Sequence, residues 1–118
     1  MNQMEPAAAE ELARIRGELP PELNRALDKV SFIFERIPSP AEIAEGIEPD
    51  QLGVFDGNAL GETEFPMPTR IVLWLENLWD LAEGDADIFR EEVRITLLHE
   101  IGHFFGWGED EMEARGLD

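Results

Sequence analysis

The segment from residue 85 to residue 106 most narrows the folds open to this chain, because its apolar residues recur at helical spacing. A helix that is apolar nearly all round in its second half must lie inside a protein, with other elements packed around it. We therefore expect a central helix that begins after Asp85 or Asp87 as its N-cap and ends near Phe105. Two stripes carry the pattern, one through Phe89, Val93, Leu97, Ile101 and Phe104, the other through Ile95, Leu98, Gly102 and Phe105.

The same segment contains both histidines of the chain, in the run His99-Glu100-Ile101-Gly102-His103. Residues four apart lie on one helix face, so both imidazoles can reach the same ion. Glu100 lies in the neighbouring sector, where it can act as general base toward a water on that ion. The spacing predicts His99 and His103 as zinc ligands and Glu100 as the catalytic residue. The alternative is a hydrogen-bonded pair of core histidines, which leaves the charged Glu100 unexplained.

A third ligand is expected beyond Gly106, which suits a left-handed helix end that turns the chain back. Glu109 lies three residues further on and is favoured by the spacing, while Asp110 is the alternative. The same acids also suit the first turn of a short terminal helix over residues 109–116, where the helix dipole favours carboxylates. We expect Met112 to be a core methionine.

Length and composition limit the number of domains, the type of metal ligand and the cellular location that can be expected. At 118 residues the chain is predicted to form one domain over residues 1–118, with an N-terminal helix in residues 1–18 whose attachment could be loose. There is no cysteine, so a metal must be held by nitrogen and oxygen. The first twenty residues lack an apolar run, which argues against a signal peptide or membrane anchor and predicts a cytoplasmic protein.

The charge of the chain is strongly negative, with 27 acidic residues against nine lysines and arginines and a formal net charge of −18. Such a field repels nucleic-acid phosphates and anionic membranes and favours basic partners or cations. The simplest interpretation is a solvated acidic surface that confers solubility; preference for a basic peptide substrate and mimicry of nucleic acid are the alternatives. With the histidine motif, we expect a peptide or small protein substrate, no nucleic-acid or membrane partner, and a monomer or weak homodimer.

Strand signals occur in three places. Branched and aromatic residues predict strands over residues 30–37 and 70–75. The second of these strands has apolar residues on both faces, so we expect other elements to cover both faces of the sheet there. Residues 52–60 read as a hairpin around Asp56-Gly57-Asn58. Short helices are expected elsewhere, and together these elements predict an α+β fold with a small mixed sheet beside the central helix.

The histidine motif and several other segments of the sequence together resemble the bacterial mini-zincins, which are small single-domain zincin-like metallopeptidase-family proteins of unknown substrate. The resemblance runs from about Leu19 to Gly116. It implies one Zn²⁺ held by His99 and His103, Glu100 as base, and no methionine turn. The family's usual third ligand is an aspartate at the eleventh motif position, where this chain has Glu109. The blocks that carry it are Pro20-Pro21-Glu22-Leu23, Ala26-Leu27-Asp28, Leu52-Gly53-Val54-Phe55-Asp56-Gly57, Arg70-Ile71-Val72-Leu73, and Glu91-Glu92-Val93-Arg94 leading to His99-Glu100-Ile101-Gly102-His103-Phe104-Phe105-Gly106.

The predicted activity is zinc-dependent peptide-bond hydrolysis, in which a glutamate activates a metal-bound water. The alternative is a metal-binding zincin-like protein with little catalysis that acts as an acidic interaction module. Amide hydrolysis also needs a donor for the developing oxyanion. The chain has no tyrosine and no third histidine, so Asn58, Arg70, Arg115 and backbone amides are the candidates.

Overall fold

The computed structural model describes residues 3–61 and 68–114, without the side chain of Glu109, and alternates helices with short strands. This is the α+β architecture predicted from the sequence. No helix in the described ranges is both long and apolar enough to cross a membrane. In chain order the elements are α1 (Met4–Glu18), α2 (Pro21–Ala26), a 3-10 turn (Leu27–Lys29), β1 (Val30–Glu35), α3 (Pro40–Ala44), β2 (Gly53–Asp56), β3 (Thr69–Trp74), α4 (Leu75–Leu81), α5 (Ala86–Phe104) and α6 (Glu109–Ala114).

The three strands form one mixed sheet in the order β1-β3-β2, with β1 parallel and β2 antiparallel to β3. The central strand β3 is buried from Ile71 to Trp74, so its two apolar faces are covered as predicted. Such burial requires layers on both sides of the strand, and α5 supplies one of them by packing against β2 and β3.

The hairpin predicted over residues 52–60 is wrong. β2 pairs with β3 instead, and residues 59–60 form no strand. The chain turns at Gly57, which has a φ of 106°, and then leaves the sheet for the end of α5. There the Leu60 N–H donates to the Phe104 carbonyl at 2.8 Å. The Asp-Gly turn is present, but the backbone after it is satisfied by a helix rather than by a second strand.

The central helix is confirmed as α5, which contacts α1, α4, β2 and β3. Its N-cap is Asp85, whose carboxylate accepts the N–H groups of Asp87 and Ile88 at 2.9 and 3.0 Å. At its other end Gly106 has a φ of 76°, the left-handed conformation that glycine adopts without strain. The chain therefore reverses directly after the second histidine, as the sequence predicted.

The N-terminal helix α1 packs along α5, with Ala8 and Ile15 fully buried between them. The buried carboxylate of Glu11 accepts from Arg90 of α5 at 3.0 Å, and Arg94 pairs with Glu18. Apolar packing and ion pairs both join α1 to the helix that carries the histidines. That residues 1–118 act as one folding unit stays a prediction.

Gly102 provides the space in which α6 lies against α5. A Cβ at this position would overlap the sulfur of Met112 and come within 3.1 Å of its Cγ. Met112 is 3% exposed, so it is the buried methionine that the sequence predicted. The Gly102 carbonyl also accepts the Trp107 N–H at 2.9 Å, which holds the reversed chain beside the helix.

We expect Gly102→Ala to lower the free energy of unfolding by about 1–3 kcal/mol, because the added methyl group overpacks the contact with Met112. The loss should appear although alanine favours a helix by about 1 kcal/mol. Gly17→Ala is the matched control, since no atom lies within 4 Å of a Cβ at Gly17 in α1. Urea denaturation measures both; equal stability of the two variants would contradict the close contact.

Two carboxylates meet at the end of β1. Glu35 accepts the Trp74 indole N–H at 3.0 Å, and Glu42 accepts the Ser39 N–H at 2.7 Å in a capping box at the start of α3. Burial raises the pKa of Glu35 and the neighbouring Glu42 adds to that rise, while the Trp74 N–H acts against it. At Glu42 burial is outweighed by hydrogen bonds from Ser39, which lower its pKa.

The raised pKa of Glu35 makes stability depend on pH. Above pH 4.5, the ordinary glutamate pKa, the unfolded chain has released this proton while the folded chain still holds it. The free energy of unfolding therefore falls as the pH rises through the raised pKa. Glu35→Gln keeps an acceptor for Trp74 but cannot ionise, so we expect it to gain stability relative to wild type between pH 4 and pH 7, by roughly 1 kcal/mol or less.

Chemical denaturation at the two pH values measures this difference. Glu45→Gln, at an exposed position of the same part of the chain, is the control for removal of one negative charge. A gain that is equal for Glu35→Gln and Glu45→Gln, or independent of pH, would refute the raised pKa of Glu35.

Candidate metal centre

The two histidines form a polar strip on the outer face of the last turns of α5. His99 is half-buried and the side chain of His103 is 47% exposed. Their ring centroids are 4.5 Å apart with the planes inclined at 52°. The residues between and beside them on the helix, Glu100, Ile101 and Gly102, are buried. The spacing of the motif therefore brings the imidazoles together where solvent and a substrate can reach them.

Glu100 lies on the side of the same helix turns that faces the sheet, and it is 8% exposed. Its Oε1 atom is 3.8 Å from His103 Nδ1, and its carboxylate accepts the backbone N–H of Phe55. Burial raises the pKa of Glu100, while the two histidines and the Phe55 N–H oppose the rise. A carboxylate with increased proton affinity thus lies directly beside the imidazole pair.

The edge strand β2 runs beside this part of α5 in the same direction as the helix. A Cβ at Gly53 would lie 2.9 Å from Thr96 Cγ2, while Phe55 reaches Glu100 through its N–H. The Phe55 ring packs 6.4 Å from that of Phe104. Glycine at residue 53 is what allows the strand to approach so closely, because a side chain there would collide with Thr96.

The outer edge of β2 faces Glu100 of the motif. The Leu52 carbonyl accepts the Trp74 N–H at 2.9 Å, so Leu52 directs its backbone groups toward β3. Because these directions alternate along a strand, the N–H and carbonyl groups of Gly53 and Phe55 point away from β3. The Gly53 carbonyl accepts Nε2 of Gln51 at 3.0 Å, and the Phe55 N–H is bound to Glu100. An extended backbone laid along this edge would therefore pass over the motif.

The third ligand stays a prediction. Glu109 begins α6, but its side chain lies outside the described part of the chain. Asp110 is exposed on α6, and among the described residues no three His, Asp or Glu side chains lie close enough together to hold an ion. The turn at Gly106 and the contact of Met112 with Gly102 place the start of α6 beside the motif helix.

The donor chemistry of the described residues fits zinc. Zinc is held in hydrolases by imidazole nitrogen together with a carboxylate or a third histidine, and it leaves one position for water or substrate. His99 and His103 supply two nitrogens without any thiolate, and acidic residues follow at the helix reversal. Two imidazoles beside a buried carboxylate match this ligand class better than a core pair, since His103 is exposed.

The three residues predicted as oxyanion donors take part in other interactions or lie outside the described residues. Arg70 Nε donates to Asp56 Oδ2 at 3.0 Å. The Asn58 backbone carbonyl accepts the Thr69 hydroxyl at 2.6 Å, and Asn58 makes a further interaction besides. Arg115 lies beyond residue 114. Sequence reasoning missed the Phe55 N–H as a contact of Glu100, because a backbone N–H leaves no signature in the sequence.

A family model for zincin-like metallopeptidases matches residues 27–117. The matched range contains all three strands and α5, so it covers every element that contributes to the histidine strip, and it leaves out α1 and α2. No individual curated protein matches the chain. The resemblance read from the sequence is confirmed by this match over most of the chain. The protein belongs to the zincin-like metallopeptidase family.

Proposed function

We propose that the protein is a zinc-dependent peptidase in which His99 and His103 are metal ligands and Glu100 is the general base. One observation carries the proposal: a buried carboxylate lies 3.8 Å from one of two adjacent imidazoles on an open helix face. Glu109 is proposed as the third ligand from its position in the motif, with Asp110 as the alternative.

Zinc, when bound, would polarise the scissile carbonyl and lower the pKa of a water at the site. Glu100 is placed to accept a proton from the attacking water and then to donate it to the leaving amine. A pKa raised by burial suits both transfers, because the carboxyl must hold the proton between them. The hydrogen bond from Phe55 orients the carboxylate against the sheet while leaving it beside His103.

The outer edge of β2 is the proposed binding position for the substrate backbone. Peptides commonly bind exposed sheet edges as an added strand, with backbone hydrogen bonds giving alignment. The Gly53 carbonyl would accept a substrate N–H in place of the Gln51 amide. The negative field of the chain favours substrates with basic residues and disfavours nucleic acid.

Metal content tests the ligand assignment. We expect protein purified without chelator to contain zinc, and His99→Ala to reduce the zinc content well below stoichiometry, because one of two nitrogen donors is lost. Glu109→Gln should weaken zinc binding, whereas Asp110→Asn, its matched control on the next residue, should not. Elemental analysis and competition with a chromophoric chelator measure these effects. A zinc content unchanged by His99→Ala would refute the site, and a loss only in Asp110→Asn would move the third ligand.

Substitution of the proposed base tests the activity. Glu100→Gln keeps the size of the side chain and an acceptor for the Phe55 N–H but cannot take a proton. We expect it to retain zinc while peptide cleavage falls by about 10²–10⁴. Mass spectrometry of a diverse peptide library measures cleavage, with zinc content checked in the same samples. If zinc-loaded wild-type protein cleaves no peptide, the metal-binding module without catalysis replaces this function.

A further inference from the structure

The strand β1 forms the second edge of the sheet, and β3 is its one strand partner within the described ranges. The pairing runs over all six residues of β1 without a bulge. Proteins usually protect such an edge with a lysine, a proline or a bulge inside the strand. β1 contains none of these, and its residues Phe32, Ile33 and Phe34 are half-buried. The edge is therefore suited to pairing with a further strand.

The hydrogen-bond directions of the sheet identify which backbone groups of β1 are open. Trp74 directs its N–H toward β2, so Ile71 and Leu73, at odd separations from it, face β1. Ile71 lies opposite Phe32 and bonds to the residues on either side of it, because the bonds of a parallel ladder are slanted. Phe32 and Phe34 therefore direct their N–H and carbonyl groups outward, where no group in the described part of the chain binds them.

The charged residues at the two ends of this edge have no ionic partner among the residues described. Lys29, the single lysine of the chain, is exposed directly before β1 and forms no ion pair there, although the chain has 27 acidic residues. Glu35 at the other end of β1 forms none either, and burial together with Glu42 raises its pKa. A cation beside Glu35 would therefore be favourable. The arginines that do pair with a carboxylate are Arg14, Arg16, Arg36, Arg70, Arg90 and Arg94.

We propose that β1 pairs with β1 of a second copy of this chain, antiparallel and about a two-fold axis at Phe32, to form a homodimer. Phe32 then lies opposite Phe32, and Phe34 lies opposite Val30 of the second copy. The Val30 N–H already donates to the Leu27 carbonyl, but its own carbonyl is open. Four hydrogen bonds follow between the copies, two joining the Phe32 residues and two from the Phe34 N–H groups to the Val30 carbonyls.

The same register matches the charges at the ends of the strands. Lys29 and Glu35 are each three residues from the axis, so Lys29 of one copy lies opposite Glu35 of the other. A slip of two residues, the smallest that keeps outward-facing residues opposite each other, would separate both pairs. The two ion pairs act against the repulsion between copies that each carry a formal charge of −18, so the dimer is weak. The pairing leaves β2, at the opposite edge of the sheet, available to substrate.

Association of the full chain tests the proposal. We expect sedimentation velocity from about 5 to 500 µM to show the mass rising from that of one chain toward twice that mass. Salt at about 0.15 M screens the long-range repulsion. Amide exchange followed by NMR locates the contact: the Phe32 and Phe34 amides should become protected only at high concentration. The Ile33 amide, which faces β3, should be slow throughout, and the Gly53 amide on β2 should not change with concentration.

Charge reversal tests the register. Lys29→Glu should raise the dissociation constant of the dimer at least about tenfold, because it places like charges opposite each other at both ends. Arg25→Glu is the matched control: it makes the same change in net charge at an exposed position of α2 outside the edge, and its effect should stay below about threefold. Glu35→Lys should weaken self-association in the same way. An equimolar mixture of Lys29→Glu and Glu35→Lys should associate again, since both pairs are then of opposite charge.

Circular dichroism verifies that the variants fold. Lys29 is exposed, so Lys29→Glu and its control decide the question even if Glu35→Lys loses its fold. A chain that stays monomeric at every concentration overturns the inference. So does a dimer that Lys29→Glu weakens no more than Arg25→Glu, or one whose Phe32 and Phe34 amides exchange equally at all concentrations. None of these measurements requires zinc or a substrate, so their outcome is separate from that of the peptidase function.

Discussion

The burial of α5 is the constraint on which the rest of this structure depends. A helix apolar on nearly every side gains stability only when other elements cover it, and here α1, α4, β2 and β3 do so. Around the last turns of the helix, the open strip carries the two histidines, while Glu100, Ile101, Gly102 and Phe104 are buried. The polar site thus lies where the packing around the motif leaves one side of the helix uncovered.

The same burial explains the raised pKa of Glu100. A carboxylate taken out of water loses hydration energy, and this loss favours its protonated form unless neighbours compensate. The Phe55 N–H and the nearby histidines supply partial compensation, and burial still prevails in the direction of the pKa. The structure therefore holds the Glu100 carboxylate in an unfavourable environment beside the two imidazoles, which is typical of a site that transfers protons.

Local signals in the sequence were enough for the motif and the helix that carries it. Asp85 as cap, the reversal at Gly106 and the buried Met112 followed from short-range rules of helix ends and apolar spacing. The pairing of the strands was harder to predict, because it depends on residues that are far apart in the sequence. The Asp-Gly turn after β2 suggested a hairpin, yet β2 pairs with β3, which is more apolar and is buried from Ile71 to Trp74. The contact of Phe55 with Glu100 depends on that pairing, so it could not have been predicted from the motif alone.

The side chain of Gln51 has a consequence for recognition and for solubility alike. Its amide satisfies the Gly53 carbonyl, and Glu100 satisfies the Phe55 N–H, so two of the backbone groups on the open β2 edge of the sheet already have partners within the chain. Random edge-to-edge association with another molecule is discouraged as a result. An incoming chain must exchange one hydrogen bond for another, with little net gain. Discrimination between incoming chains must then come from contacts other than the backbone.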